Sequence, residues 1–399
     1  MSLRIMFMAN APWCTTGYGV QGKHLTPRLK ALGHDVAYFA FYGLQNGMLN
    51  IEGTPIYPMG YAPWGEDILD AHMRSFRADV LITLMDVWVT DFFGDHAQRG
   101  GWAWLPWTPI DQEPVPQMVL DRLQGAHTVL PYSRWGESLL RQEGIENVRY
   151  IPHGVDTNVF RPGDRTEARR KLGLPEDAFI IGMVAANQGY PPRKCFPEQL
   201  RAFSVFRRYH KGALLYLHTL KTTARGGIDF KELLRRLDLV EGRDVIFSDQ
   251  YSYVIGWHEE RMAALYQSFD VLSLTSSGEG FGIPLIEAQA CGIPVVTAAN
   301  SAMPELTFAG VCVEKQHPFW TPLGAWSYLP DPEAILDAYV EIYARLTKLG
   351  QREELAERAR KGAEQFDWDH VVSAYWQPLL AEIEAGRNEH VRTGDLQPA

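Results

Sequence analysis

Short apolar runs of strand length alternate along the chain with stretches whose apolar positions recur at helical spacing. Residues 3–8, 35–41, 80–85, 127–131 and 148–151 form a first set of runs, and helical stretches at 19–32 and 134–143 follow members of it. After Phe160-Arg161-Pro162-Gly163, a polar helical stretch from Thr166 to Leu172 leads into a second series. Its strands are predicted at 179–186, 213–218, 244–247, 270–275 and 293–298, its helices at 197–209, 229–238, 258–268 and 284–291. Helices at 333–349 and 352–364 close the series, and a last helix is predicted over 370–385. The polar tail from Gly386 reads as loose. Strands that alternate with helices predict an α/β fold with parallel sheets, here two doubly wound units joined near residue 160. No fixed-period repeat appears, which sets solenoids and propellers aside. Two such units facing a central cleft bring strand carboxyl ends and helix amino termini together, a setting suited to a phosphate-bearing ligand.

The composition agrees with two ordinary cores. The chain has 399 residues, 46% of them hydrophobic and 22% charged, enough apolar material for two domains and too much for a disordered chain. With 38 basic against 48 acidic residues the formal charge is -10, the wrong sign for a protein that reads a nucleic-acid backbone, a class this disfavours without excluding. No run approaches 18 apolar residues, and the first ten residues read as a strand rather than a signal peptide. The cysteines, Cys14, Cys195, Cys291 and Cys312, form no C-x-x-C pair. They provide no structural zinc site and read as reduced thiols, so a cytoplasmic location is expected.

Three motifs resemble known devices and fail on a physical requirement. Gly17-Tyr18-Gly19-Val20-Gln21-Gly22 matches G-x-G-x-x-G, but the second strand ends Tyr38-Phe39-Ala40-Phe41 with no acid to hold a ribose. Gly17, Gly22 and Lys23 nearly make a P-loop, and Val80–Met85 before Asp86 imitates the strand that accompanies one. His24, however, stands where a hydroxyl must hold magnesium. Asp367-Trp368-Asp369 has the D-x-D form of a metal motif, yet it precedes a helix for which Asp369 is the expected N-cap. What survives of the first motif is a glycine loop that opens a helix and brings backbone amides near an anion.

The block from Ser276 to Pro294, S-S-G-E-G-F-G-I-P-L-I-E-A-Q-A-C-G-I-P, carries the chemistry. A buried strand runs into a glycine-rich turn, and Pro284 opens a helix where its missing N–H costs nothing. Gly280 and Gly282 let a ligand approach the backbone, and the amides at the helix start suit a diphosphate. Glu279 and Glu287 add carboxylates that accept hydrogen bonds from sugar or ribose hydroxyls.

This block resembles the E-x7-E signature of glycosyltransferase family 4 (group 1), the retaining GT-B enzymes, and the resemblance covers nearly the whole chain. Val148–Pro162, with P-H-G-V-D, is similar to that family's inter-domain segment, and Pro304-Glu305-Leu306 to its P-E-L element. The resemblance implies two Rossmann-like domains: an acceptor-binding unit over 1–160 and a nucleotide-sugar unit over 161–365. A helix over 366–385 would return to the first unit, with a tail over 386–399. It implies that Glu279 binds donor-sugar hydroxyls and Glu287 the ribose, with Gly280, Phe281 and Gly282 presenting amides. The family's G-R arginine is absent after the strand Ile180–Ala185, but Arg193-Lys194 stands near its lysine, and both cations are assigned to the diphosphate. Asp111, in Trp107–Pro114, holds the place of a family histidine, in contact with donor or acceptor. Gly17 and Gly19 would add amides from the first unit, and His153 replaces an asparagine beside a hinge. The implied reaction moves a sugar from a nucleoside diphosphate, uridine among the candidates, to a hydroxyl acceptor with retention. No metal or other cofactor is expected, and the leaving β-phosphate takes the proton. Rival readings are a silent sugar-nucleotide sensor, a phosphorylase or epimerase of the same architecture, and a P-loop NTPase. Tryptophans 13, 64, 88, 102, 104 and 107 are candidates for stacking on an acceptor or for plain packing.

Overall fold

A computed structural model describes residues 2–189, 191–224 and 226–393. The chain divides into two compact units. The first comprises Met1–Ile110, Pro114–Gly154 and Trp368–Ala399; the second comprises Asp111–Glu113 and Val155–Asp367.

In the first unit seven strands form one sheet: β1 Arg4–Asn10, β2 Asp35–Tyr42, β3 Leu49–Ile51, β4 Thr54–Tyr57, β5 Val80–Leu84, β6 Ala103–Thr108 and β7 Leu130–Pro131. Their order is β3-β4-β2-β1-β5-β6-β7, parallel except for the β3–β4 hairpin. β1, β2 and β5 are buried almost throughout, as strands covered by helices on both faces must be. Chain order reverses between β1 and β5, the switch point at which such sheets bind ligands. β6 was not among the strands the apolar runs predicted. Pro106 sits inside it, opposite Thr83 of β5, and an internal proline argues against a central strand. Burial of Trp104 and Trp107 compensates, with Trp104 Nε1 donating to Thr83 Oγ1 at 3.0 Å. The strand expected at 148–151 is not formed. That segment meets the sheet edge only through single bonds, such as Arg149 N to Val129 O at 2.9 Å.

The chain from Trp368 on belongs to this first unit. An α-turn at Trp368–Val371 passes through a π-bulge at Val372–Trp376 into the helix Gln377–Thr393. His24 stacks on Trp368 at 5.7 Å, and Trp107 meets Trp376 edge-on at 5.1 Å. The helix outlasts the boundary expected at 385, which corrects the loose-tail reading for 386–393. An ion pair of 2.6 Å between Arg387 and Asp79 holds it to the body of the unit. Residues 394–399 of that expected tail lie outside the described residues.

The second unit has a six-stranded parallel sheet: β8 Phe179–Val184, β9 Ala213–His218, β10 Val245–Phe247, β11 Val271–Leu274, β12 Val295–Ala298 and β13 Gly310–Val313. The order β10-β9-β8-β11-β12-β13 is that of a dinucleotide-binding sheet, with its switch point between β8 and β11. The strands lie on the predicted apolar runs, and the helices Phe196–Tyr209, Phe230–Arg236, Glu259–Ser268 and Ile283–Ala290 on the predicted helical stretches. Not predicted were β13 and a separate antiparallel hairpin, β14 Gln316–Trp320 with β15 Trp326–Pro330. Pro318, Pro322 and Pro330 make the hairpin read as loop. Among the described residues, no helix is long and apolar enough to cross a membrane.

Candidate functional site

The switch point of the second unit gathers the residues of interest. β8 leads into the loop that carries Arg193 and Lys194, and β11 leads into the loop of Glu279. The two loops are tied directly, because Ser277 N donates to Arg193 O at 2.9 Å. Gly282, at φ +114°, turns the second loop into the helix Ile283–Ala290, a conformation that only glycine takes without strain. Gly278 is needed for a different reason: a Cβ there would lie 2.4 Å from the backbone oxygen of Asp111.

Glu279 is 5% exposed and sits at the centre of a charged cluster. Lys194 Nζ donates to its Oε1 at 2.5 Å and Arg193 Nη1 to its Oε2 at 3.0 Å. Ser276 Oγ adds a bond of 2.6 Å to Oε1, and the backbone N–H of Glu279 donates to Ser301 Oγ at 2.8 Å. Arg193 also donates to Gly278 O and lies 3.9 Å from Asp111 Oδ2. Burial raises the Glu279 carboxyl, but the two cations outweigh it and hold the group at about 2. Burial and the neighbouring Arg193 lower Lys194 against the pull of Glu279. Burial raises Asp111 against the pull of Arg193. The cluster thus sets two acidic side chains, Glu279 and Asp111, against two basic ones, Arg193 and Lys194.

Glu287 stands one turn into the following helix. Its Oε2 accepts from Tyr266 Oη at 2.5 Å, and burial lifts the carboxyl to about 7, with Glu259 contributing. The backbone amides of Gly280 and Gly282 have no hydrogen-bond partner among the described residues. Phe281 between them is buried and packs on Phe366. The turn therefore offers two amides and two carboxylates beside two cations. This set can neutralise a diphosphate and accept from hydroxyls.

Of the other sequence candidates, Gly17, Gly19, His153 and Asp369 belong to the first unit. Gly17 is exposed at the start of the helix Gly17–Ala31, but Gly19 is buried and its amide already donates to the Thr16 side chain at 3.1 Å. Gly19 thus serves the helix start and presents no amide to an anion, contrary to its expected donor role. A Cβ on it would meet Cys14 O at 2.3 Å, and one on Gly22 would meet Tyr38 Oη at 2.2 Å. These glycines are packing devices. Gly22 and Lys23 lie inside the helix and His24 stacks on Trp368, so no phosphate-cradling loop exists there and the P-loop reading falls. His153 is buried, 3.1 Å from Gln21 Oε1, and burial lowers it to about 3. Gln21 also bonds both the N–H and the C=O of Gly154, which places His153 in a backbone clamp. Asp367 accepts from Thr157, and Asp369 pairs with Arg28 at 2.9 Å. Among the described residues no group of three or more His, Cys, Asp or Glu is arranged to hold a metal ion. A cavity of about 500 Å³ opens at the opposite, amino-terminal edge of the second sheet, around Arg169 and Asp270, remote from this chemistry.

Sequence reasoning missed Ser276, Ser301, Asn187 and Glu113. Ser301 takes a left-handed conformation, φ +51°, to reach the Glu279 amide. Asn187 bonds Leu220 O, Thr222 O and both the N–H and C=O of Ile228, fixing the loop after β9. Glu113 bonds the hairpin. Of these only Ser276 left a signal, as a hydroxyl at the head of the E-x7-E block.

Residues 228–345 match the family model of the glycosyl transferases group 1. The D-inositol 3-phosphate glycosyltransferase of Geodermatophilus obscurus is 31% identical over 258 residues, 62% of this chain and 51% of the relative. That of Actinosynnema mirum is 32% identical over 164 residues, 41% of this chain and 38% of the relative. The chain spans about half the length of the first of these. Among solved structures, the sucrose-phosphate synthase of Thermosynechococcus elongatus superposes with a TM-score of 0.76 at 19% identity, covering 96% of this chain and 100% of that one. The Anabaena protein Alr3699/HepE in complex with UDP-glucose gives 0.71 at 15% identity, with 96% and 100% covered. These likenesses establish the fold as that of the GT-B glycosyltransferases. The stretch 228–345 of this chain is thus similar to the glycosyl transferases of group 1, within a fold shared with the GT-B enzymes.

Proposed function

We propose that the protein transfers a sugar from a nucleoside-diphosphate sugar to a hydroxyl acceptor with retention at the anomeric carbon. The observation that carries this reading is the switch-point cluster. Lys194, Arg193 and the open amides of Gly280 and Gly282 converge on the turn that holds Glu279. In this reading the amides and cations bind the diphosphate, Glu279 accepts from donor-sugar hydroxyls and Glu287 from the ribose. As the glycosidic bond breaks, negative charge grows on the β-phosphate oxygen, and the cations stabilise it. That oxygen then takes the proton of the attacking hydroxyl on the same face, which requires no second carboxylate behind the sugar. Two protein cations take the neutralising part that a divalent metal plays elsewhere, so none is required. The names of the relatives, glycosyltransferases, and the UDP-glucose bound to a protein of the same fold support a sugar nucleotide as donor.

The test is a thermal-shift panel with UDP, GDP, ADP and their sugars, followed by donor turnover and anomeric analysis of the product by NMR. Stabilisation by a sugar nucleotide with turnover and a retained anomer is the expected result. Stabilisation without hydrolysis or transfer under any acceptor would make the protein a silent sugar-nucleotide binder, and an inverted product would remove the mechanism.

A further inference from the structure

The β14–β15 hairpin forms a sheet of its own in the second unit. Its register sets Trp320 opposite Trp326 and Pro318 opposite Tyr328. Opposed residues and every second neighbour share a face, so Trp320, Trp326 and Tyr328 lie together. On that face Tyr328 Oη donates to Glu113 Oε1. Trp326 N donates to Glu113 O at 2.8 Å, and Thr321 Oγ1 donates to Gln112 Oε1 at 2.9 Å. Tyr328 N donates to Ser277 O at 3.1 Å, two residues from Glu279. The hairpin is therefore fastened both to the signature loop and to the segment that carries Asp111.

On this mount two indoles remain in water. Trp320 is 56% and Trp326 41% exposed, with ring centroids 5.0 Å apart and planes at 75°. Leaving two adjacent large aromatics exposed forgoes the burial that would otherwise stabilise the chain. Around them, Trp320 Nε1, Trp326 Nε1, Gln112 Nε2 and Glu113 Oε2 have no hydrogen-bond partner among the described residues. Flat apolar faces ringed by open donors and a carboxylate match a ring with C–H faces and equatorial hydroxyls. A lipid tail would strand the amide and the carboxylate.

We propose that the Trp320–Trp326 pair is a stacking subsite for a pyranose ring of the acceptor, so that the acceptor is itself a glycoside. This deepens the transfer reading and rests on it for the word acceptor. Asp111 stands two residues before Glu113, about 7 Å along an extended chain. A ring on the platform and a hydroxyl near Asp111 and Arg193 can thus belong to one molecule.

The test uses the full chain and titrates maltotriose, cellotriose, chitotriose and mannotriose, read by tryptophan emission and calorimetry. Phosphatidylglycerol vesicles and adenosine serve as rival probes, and UDP-glucose is titrated in parallel. The variants are Trp320→Ala, Trp326→Ala and the ring-retaining Trp320→Phe and Trp326→Phe. Wild type is expected to bind at least one trisaccharide. Each alanine variant should weaken that binding about tenfold or more, the worth of one good aromatic contact. The phenylalanine variants should stay within about threefold of wild type, and UDP-glucose affinity should not change in any of them. A wild-type protein that binds UDP-glucose but no trisaccharide overturns the proposal. So does trisaccharide binding indifferent to the alanine variants, or vesicle or adenosine binding that they abolish. If UDP-glucose fails to bind while trisaccharide binding still depends on the tryptophans, the transfer reading falls and the glycan subsite stands.

Discussion

Replacing Glu287 with glutamine should make the protein more stable at alkaline pH and a poorer binder of its nucleotide. Burial lifts this carboxyl from an ordinary 4.5 to about 7. In the folded chain it therefore holds a proton that the unfolded chain has already released. Stability contributed by this group is lost as pH rises from about 4.5 through 7, and the loss is complete above that. At about 1.4 kcal/mol per pH unit the charged form costs roughly 3 kcal/mol. Glu287→Gln removes the cost and still accepts from Tyr266 Oη. The second unit of the variant should thus melt several degrees higher at pH 8, at roughly 2–4 °C per kcal/mol, with little difference at pH 4.5. Ribose hydroxyls, by contrast, donate best to a charged carboxylate, and a neutral acceptor forfeits about 1–1.5 kcal/mol. UDP-glucose should then bind about tenfold more weakly to the variant at pH 8, and nearly equally at pH 6, where wild-type Glu287 is mostly protonated. UDP-glucose is the proper probe, since the terminal phosphate of UDP itself titrates near pH 6. Calorimetric titration and thermal melts at pH 4.5, 6, 7 and 8 measure both effects. A stability gap that does not change with pH, or a variant less stable at pH 8, would refute the argument from burial. Equal affinity at pH 8 would refute the ribose contact.

Lys194→Ala should lower turnover at saturating donor by about 10²–10³, because a cation beside the leaving phosphate matters most in the transition state. A rise in KM alone would show that it binds donor and transition state equally. Transfer should continue in excess EDTA; activity lost there and restored by magnesium or manganese would bring Asp367 and Asp369 back as ligands. His153, held near 3 by burial, is neutral when folded and protonated when unfolded below about 6.5. It contributes stability that is lost as pH falls from there toward 3, and His153→Gln should flatten that acid limb by about 1.4 kcal/mol per pH unit. An unchanged slope in denaturant titrations at pH 4, 5 and 6 would assign acid sensitivity to other groups.

Legibility from sequence followed the physics of each element. Five of the second unit's six parallel strands are short and apolar on both faces, so each of these appeared as an unbroken run between turn residues, while β13 did not. Likewise, the E-x7-E block announced itself because glycine, proline and glutamate each occur there for a local reason. The misses have equally local causes. Pro106 disguised a central strand whose stability comes from buried Trp104 and Trp107, a tertiary fact no window of sequence contains. Three prolines concealed the hairpin. The G-x-G-x-x-G match was real as a pattern, but two of its glycines answer to Cys14 and Tyr38. Close approach of another part of the chain leaves the same residue in the sequence as close approach of a ligand. Ser301 and Glu113 act across distances in sequence that spacing cannot show.

The charge balance around Glu279 connects these observations to the proposed chemistry. Two cations kept partly out of water need an anion, or desolvation drives them toward neutrality or into solvent. Glu279 supplies that anion, with Ser276 and Ser301 fixing its position. Lys194 and Arg193 are thereby held ready at low cost, and their side chains need not be ordered when a ligand arrives. A diphosphate that enters beside Gly280 and Gly282 competes for the same donors, so part of its attraction is offset by the contacts it loosens. Such offsetting is tolerable for binding and useful for rate. The ground-state donor is held less tightly than bare electrostatics would give, while the extra charge that appears as the bond breaks meets cations already in position. In the proposed reaction Glu279, partly released from them, would be a carboxylate free to accept from the sugar's hydroxyls. In the proposed chemistry one residue thus balances the two cations and also accepts from the donor sugar.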